Sequence, residues 1–264
     1  MPRDVYTHGH HESVLRSHRW RTAENSAGYL LGRLAPGADL LDVGCGPGTI
    51  TLDLARHVAP GRVVGIDASA EVIAQAEEHA APGVEFRTGD VYALAFDNES
   101  FDVVHAHQVL QHLTDPIAAL REMQRVLRRG GTLAVRDSDY RAFAWAPADS
   151  RLDRWMDVYQ AVARHNLAEP DAGRYLLGWV RAAGYDNVVA TSSTWTFADD
   201  EARSWWGSLW ADRATQSSFA TQAIDYGLTT NDELAEIAQA FRDWSNKPDG
   251  YFCIPHGEVL ATRG

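Results

Sequence analysis

The chain has 264 residues, with 24 Lys+Arg against 36 Asp+Glu and a formal net charge of -12. Hydrophobics at 45% and charged residues at 23% are globular composition and exclude disorder, while the acidity and a single lysine, Lys247, disfavour a phosphate backbone as partner. No apolar run approaches the ~20 residues of a membrane span, the start Met1-Pro2-Arg3-Asp4 lacks the apolar core of a signal peptide, and Cys45 and Cys253 make no disulfide or metal framework, so a cytoplasmic protein is expected.

The first 35 residues read as a helical leader that packs on the rest of the chain. Asp39-Leu-Leu-Asp-Val43 is a short apolar run ended by glycines. In 49–58, Ile50, Leu54 and Val58 recur at helical spacing. Arg62–Asp67 is β-branched, and Ser69 reads as the N-cap of a helix carrying Val72, Ile73, Ala76 and Ala80 on one face. Val84–Thr88 alternates, and Phe101–Ala106 is apolar. Asp115-Pro116 starts a helix striped by Ile117, Leu120, Met123 and Leu127, which Gly130-Gly131 ends before a fifth strand at 132–136. Such alternation predicts a doubly wound parallel sheet over 36–140, with ligands at the carboxyl ends of its strands. Residues 141–264 read as mostly helical. A stripe runs through 152–162, and Pro170 opens a second helix that carries Leu176, Trp179, Val180 and Ala183 before Gly184. Further helices are read at 199–213 and 231–245, the last capped by Asn231. Strands are predicted at 187–191 and at 251–262, where Pro255 interrupts. Eight of the nine tryptophans lie in the last 120 residues. The whole is expected to be one domain: leader 1–35, core 36–140 and cap 141–264.

The chemistry is concentrated at Leu41-Asp-Val-Gly-Cys-Gly-Pro-Gly-Thr49, a strand running into G-x-G-x-G and then a helix. Gly44, Gly46 and Gly48 allow a tight turn and close approach of backbone to ligand. A dinucleotide site prefers G-x-G-x-x-G. Here the third glycine falls one residue early, and Asp42 before the turn would repel a pyrophosphate but suit a cation. Asp67, ending the next strand, is placed to accept from both hydroxyls of a ribose. An adenosine with a positively charged tail fits these charges better than NAD.

Asp42-Val-Gly-Cys-Gly-Pro-Gly48, Gly65-Ile-Asp67, Thr88-Gly-Asp-Val91 and Leu127-Arg-Arg-Gly-Gly-Thr-Leu133 resemble the ordered motifs of the class I S-adenosylmethionine-dependent methyltransferases. Within them the chain is similar to the small-molecule branch that includes quinone-biosynthesis C-methyltransferases. The resemblance implies an α/β, Rossmann-like, seven-stranded, mostly parallel sheet with the last strand antiparallel and the helices of 199–245 inserted before it. It implies S-adenosylmethionine as cofactor. Gly44, Cys45 and Gly46 would pack on its methionine part, with Asp42 near the amino group. Asp67 would take the ribose, Ala68 and Val91 would flank the adenine, and Asp90 would accept from its amino group. His107 would line the methionine side through its backbone. Arg21 would meet the methionine carboxylate, and Tyr6 would close the pocket.

A methyl on a sulfonium already has a good leaving group, so its SN2 transfer needs in-line approach and exclusion of water more than covalent help. Where the acceptor must lose a proton, His112 is the candidate base, because the loop after the fourth strand borders the methyl group in this fold. No metal is expected: His8, His10 and His11 read as an exposed polar leader, and Asp137 with Asp139 is thin evidence for a cation. Trp205, Trp206 and Trp210 cover about half a helix circumference, so some reach the core while others can wall an acceptor chamber. Arg154 and Arg174 are weak candidates for an anionic acceptor group. The reading is transfer of a methyl group to an O or C atom of a small hydrophobic or aromatic molecule. The alternatives are a cofactor-binding protein that transfers no methyl and a nucleic-acid methyltransferase, the latter opposed by acidity and by His105-Ala-His-Gln108.

Overall fold

The computed structural model describes residues 4–7, 9 and 12–264, so the histidines at positions 8, 10 and 11 lie outside the described residues. Two short helices come first, α1 (Glu12–Arg19) and α2 (Ala23–Leu31). A reciprocal cap between Thr22 and Asn25 opens α2. Next in the chain are β1 (Leu40–Val43), α3 (Thr49–Val58), β2 (Val63–Asp67), α4 (Ala70–Glu77), β3 (Val84–Thr88), β4 (Phe101–His107), α5 (Pro116–Val126) and β5 (Leu127–Ser138). These strands run parallel in the order β3-β2-β1-β4-β5. The order reverses between β1 and β4, which opens a crevice at their carboxyl ends.

After β5 come β6 (Ala144–Ala146), α6 (Ser150–His165), α7 (Leu176–Ala183), β7 (Asp186–Phe197), α8 (Asp200–Gln216), α9 (Ser218–Asp225), α10 (Asn231–Ser245) and β8 (Tyr251–Thr262). β8 runs antiparallel between β5 and β7, and α8 to α10 are inserted just before it, as the resemblance implies. The sheet holds eight strands rather than seven. The addition is β6, three residues that pair with the start of β8.

Several local expectations shift, each for a physical reason. Helix α5 ends at Val126 instead of at Gly130, because Leu127 turns extended to pair with Phe101, and Gly130-Gly131 lie within β5. Pro255 does not interrupt the last strand. Its carbonyl accepts from Asp139, so its missing N–H falls where the neighbour of β8 changes from β5 to β6 and costs no ladder bond. Thr230, not Asn231, caps α10, its hydroxyl accepting from the Glu233 amide. β7 extends to Phe197, well past the expected Thr191, because β8 pairs with it along its length.

Apolar side chains fill both faces of the sheet: Leu41, Val104, Leu120 and Leu133 pack on one side, and Ala27, Leu40, Leu54 and Val63 on the other. A further cluster joins α6, α8 and α10 around Trp155, Trp206, Trp210, Phe241 and Phe252. Most of the tryptophan excess is thus core, where each ring buries a large area. Trp205 is only partly buried against this cluster.

Candidate active site

The turn after β1 depends on its glycines. Gly44 and Gly48 have φ of 69° and 83°, and a Cβ on Gly44 would lie 2.3 Å from Val109 Cγ2. The amides of Gly44 and Cys45 donate to the Ile66 carbonyl at 2.8 and 2.9 Å, and that of Gly46 to Asp67 Oδ2 at 3.1 Å. Asp67 Oδ1 accepts from the Ser69 amide at 3.0 Å. Each Asp67 oxygen therefore has one backbone donor and retains lone-pair capacity. The carboxylate of Asp42 is 2.7 Å from His105 Nδ1 and accepts from the Thr51 hydroxyl at 2.5 Å, so it meets partners inside the protein. Burial beside Asp42 and Asp67 pushes the Cys45 thiol up.

Beyond the turn lies a cavity of about 1010 Å³. Tyr6, Arg21, Asp42, Gly44, Cys45, Gly46, Asp67, Ala68, Asp90, Val91, His107 and His112 all line it. Asp90 and Ala68 are exposed and Val91 is half-buried. Asp90 Oδ1 accepts from the Tyr92 amide at 2.9 Å. His107 is 5% exposed, lines the cavity and packs against the Trp195 ring, and among the described residues neither ring nitrogen has a hydrogen-bond partner. Burial, reinforced by Arg21 and Arg136, holds it well below the ordinary histidine range and neutral.

Arg21 donates to Gln108 Oε1 at 2.5 Å and lies 5.7 Å from the centre of the Trp195 ring. Its Nε is buried without a partner, and burial lowers its pKa to about 10. The Tyr6 hydroxyl is 3.3 Å from His18 Nε2, its ring meets His112 edge-on at 4.7 Å, and burial raises its pKa to about 12. Burial and then Arg21 lower His112 to about 3. Its Nε2 is 3.0 Å from Gln111 Nε2, and Gln111 Oε1 accepts from the Ser138 hydroxyl. The Gln111 amide therefore donates to His112, which assigns the ring as the neutral Nδ1–H tautomer.

Other candidates lie elsewhere. Arg154 is paired with Glu233 at 2.7 Å and Arg174 with Asp139 at 2.5 Å. Asp137 is fully buried and accepts from the Gln111 amide at 3.2 Å. Among the described residues no three metal-ligating side chains come together. The sequence reading missed Trp20, Gln108, Tyr140, Trp195 and Arg213, which also line the cavity. One had a usable signal: Gln108 directly follows the apolar run of the fourth strand, at the carboxyl end where ligands sit in such a sheet, and its φ is 54°.

Residues 34–197 match the methyltransferase domain family. The chain belongs to that family. It is an S-adenosylmethionine-dependent methyltransferase. A Schizosaccharomyces pombe protein described as an uncharacterized methyltransferase is 34% identical over 98% of this chain and 96% of its own. A demethylmenaquinone methyltransferase of Lactococcus lactis is 36% identical over 39% of this chain and 43% of its own. Among solved structures, the YcgJ protein of Bacillus subtilis aligns with a TM-score of 0.59 at 21% identity, covering 91% of this methyltransferase and 98% of that chain. The [4+2]-cyclase SpnF aligns at 0.53 and 24% identity, covering 98% and 88%. These structures share the fold, and a fold by itself does not determine a reaction.

S-adenosylmethionine is the cofactor, and the residues present fit it. The Gly44 position leaves no room for a side chain, the Arg21 Nε is an orphaned buried donor, and Asp67 keeps acceptor capacity on both oxygens.

Proposed function

We propose that this methyltransferase acts on a small hydrophobic or aromatic molecule, at an oxygen or carbon atom, inside the cavity at the carboxyl ends of β1 and β4. The observation that carries the reading is one continuous chamber. It runs from the glycine turn and Asp67 to Trp195, Trp205 and Trp206, and its 1010 Å³ reaches the top of the range of about 300–1,000 Å³ usual for a ligand pocket. Two ligands side by side account for that size better than one.

When bound, the cofactor supplies an electrophilic methyl group on a sulfonium. Asp67 takes the ribose hydroxyls on its remaining lone pairs. Asp90, with Ala68 and Val91 beside it, frames the adenine. The turn Gly44-Cys45-Gly46 approaches the methionine part with backbone only, and Arg21 receives its carboxylate. Asp42 contributes negative charge on the side of the amino group while its oxygens stay with His105 and Thr51. The neutral His107 ring would lend a flat face and its one lone pair on the side of the sulfonium. Tyr6 closes the chamber from the leader, and Trp20 against Trp195 and Trp205 keeps bulk water out.

His112 is the proposed catalytic residue. As the neutral Nδ1–H tautomer it orients the acceptor by donating from Nδ1, and it can take a proton only where Nε2 gives up the Gln111 amide. The test is a panel of small phenols, naphthols and carboxylic acids incubated with the full-length protein and labelled S-adenosylmethionine. Release of S-adenosylhomocysteine with at least one acceptor, abolished in Asp67→Ala, is expected. Cofactor binding with no release across such a panel, alongside methylation of RNA, would overturn the small-molecule reading.

A further inference from the structure

Three arginines of the described residues are buried: Arg136, Arg203 and Arg213. Arg136 is paired with Glu258 at 3.2 Å, and Arg203 is paired with Asp200. Arg213, at 4% exposure on α8, has no carboxylate within ion-pair distance among the described residues. The adjacent Asp212 turns to Arg16 instead, at 3.6 Å. An unpaired buried charge is costly, and folding retains one where something else compensates it.

The surroundings of Arg213 are those of a prepared site. Its Nη2 donates to the Ser13 carbonyl at 3.2 Å and the Ser17 hydroxyl at 3.0 Å, both on α1. Its guanidinium lies 4.7 Å from the centre of the Trp210 ring, which supports a cation without neutralising it. Its Nε is buried with no partner, and the residue lines the chamber described above. Arg21 lies two residues beyond the end of α1 and lines the same chamber. Neither it nor Arg213 has a carboxylate partner among the described residues, and Arg213 is near enough to Arg21 to help lower its pKa. The cofactor brings one carboxylate for these two guanidiniums, which leaves one positive charge to be compensated by a second anion.

We propose that Arg213 anchors an anionic group, a carboxylate or a phosphate monoester, on the methyl acceptor. The proposal rests on the small-molecule methyl-transfer reading and narrows its substrate class. The guanidinium fork suits either oxyanion, and both would leave the aromatic part of the acceptor against Trp205 and Trp206.

The test is calorimetric titration of 1-naphthoate, 1-naphthyl phosphate and neutral 1-naphthol into the full-length protein saturated with S-adenosylhomocysteine. At least one anion should bind tenfold or more tightly than 1-naphthol. Arg213→Gln should erase that margin while leaving the affinities for 1-naphthol and S-adenosylhomocysteine within twofold, and Arg213→Lys should keep part of it. If the Gln variant does not fold, the margin in the unaltered protein and its reduction in the Lys variant decide the matter. Equal binding of anions and 1-naphthol, no binding of either anion, or a margin that survives Arg213→Gln overturns the proposal while methyl transfer stands. A tenfold loss of S-adenosylhomocysteine affinity in Arg213→Gln would give the guanidinium to the cofactor and overturn it too. An unaltered protein that does not bind S-adenosylhomocysteine overturns both readings.

Discussion

Asp67 Oδ2 accepts the amide N–H of Gly46 at 3.1 Å, so the acid that ends β2 also holds the turn at the end of β1. Two separate motifs of the sequence are thereby one mechanical unit. Asp67→Ala should weaken S-adenosylhomocysteine binding by about 2–4 kcal/mol, the sum of lost ribose contacts and a loosened turn. Asp67→Asn, which keeps an oxygen for one donor, should lose less. Calorimetric titration measures both, and equal losses would separate the turn from the ligand.

Phe86 occupies the space beside Gly48, where a Cβ would come within 2.6 Å of the ring. Gly48→Ala also asks alanine to adopt φ of 83°. The substitution should cost about 2–4 kcal/mol of stability, combining left-handed strain with overpacking. Adding Phe86→Leu should recover the overpacking part and leave the strain. A double variant no more stable than Gly48→Ala in urea unfolding would mean that the ring yields freely.

Asp137 is buried, and burial raises its pKa to about 8. Folded, it keeps its proton up to that pH, whereas the unfolded chain releases it near 3.8. Between these values the folded state binds more protons, so this group lowers stability as pH rises. The stability advantage of Asp137→Asn over the unaltered protein should therefore grow from pH 4 to pH 8, by up to about 1.4 kcal/mol per pH unit. Urea midpoints at pH 4, 6 and 8 report it, and a difference that does not change with pH refutes it.

His112 acts in the opposite sense. Burial and Arg21 lower its pKa to about 3, while the unfolded chain takes the proton near 6.5. The unfolded state binds more protons across that window, so stability falls as pH drops from 6.5 towards 3. His112→Gln removes this contribution and should flatten the acid limb of the stability curve. In the same variant turnover should fall by about 10²-fold or more, with S-adenosylhomocysteine affinity within twofold. Unchanged turnover would make His112 a wall residue.

Trp20 packs on Trp195 and Trp205 with ring centres 5.2 Å apart in each case, which closes the leader over the chamber. Trp20→Ala should raise the KM for an aromatic acceptor by about tenfold, the scale of a lost aromatic contact. Cofactor affinity should stay unchanged. A loss of both together would show that Trp20 orders the leader around the cofactor instead.

What the amino-acid sequence determined by itself was whatever depends on local chemistry. The period of apolar residues set the alternation of strands and helices from 40 to 136. The glycines after Val43 marked a turn without side chains, and Asp67 marked the end of the second strand. These signals are local because turns and strand ends constrain a residue through its own backbone. The limits of α5 and β8 were less legible, since Leu127 and Pro255 take their conformation from strands they pair with. Only the tertiary structure decided which polar residues share a chamber. Arg213 reads as one more helix-face arginine until α1 and Trp210 enclose it, and Arg154 loses its candidacy once Glu233 is beside it. Charge compensation is a property of neighbours distant in sequence, and no spacing within one element encodes it. The division holds for the tryptophans as well: composition counted them, and packing put Trp155 and Trp210 wholly in the core, Trp195 and Trp206 where core and chamber wall meet, and Trp205 partly buried on that wall.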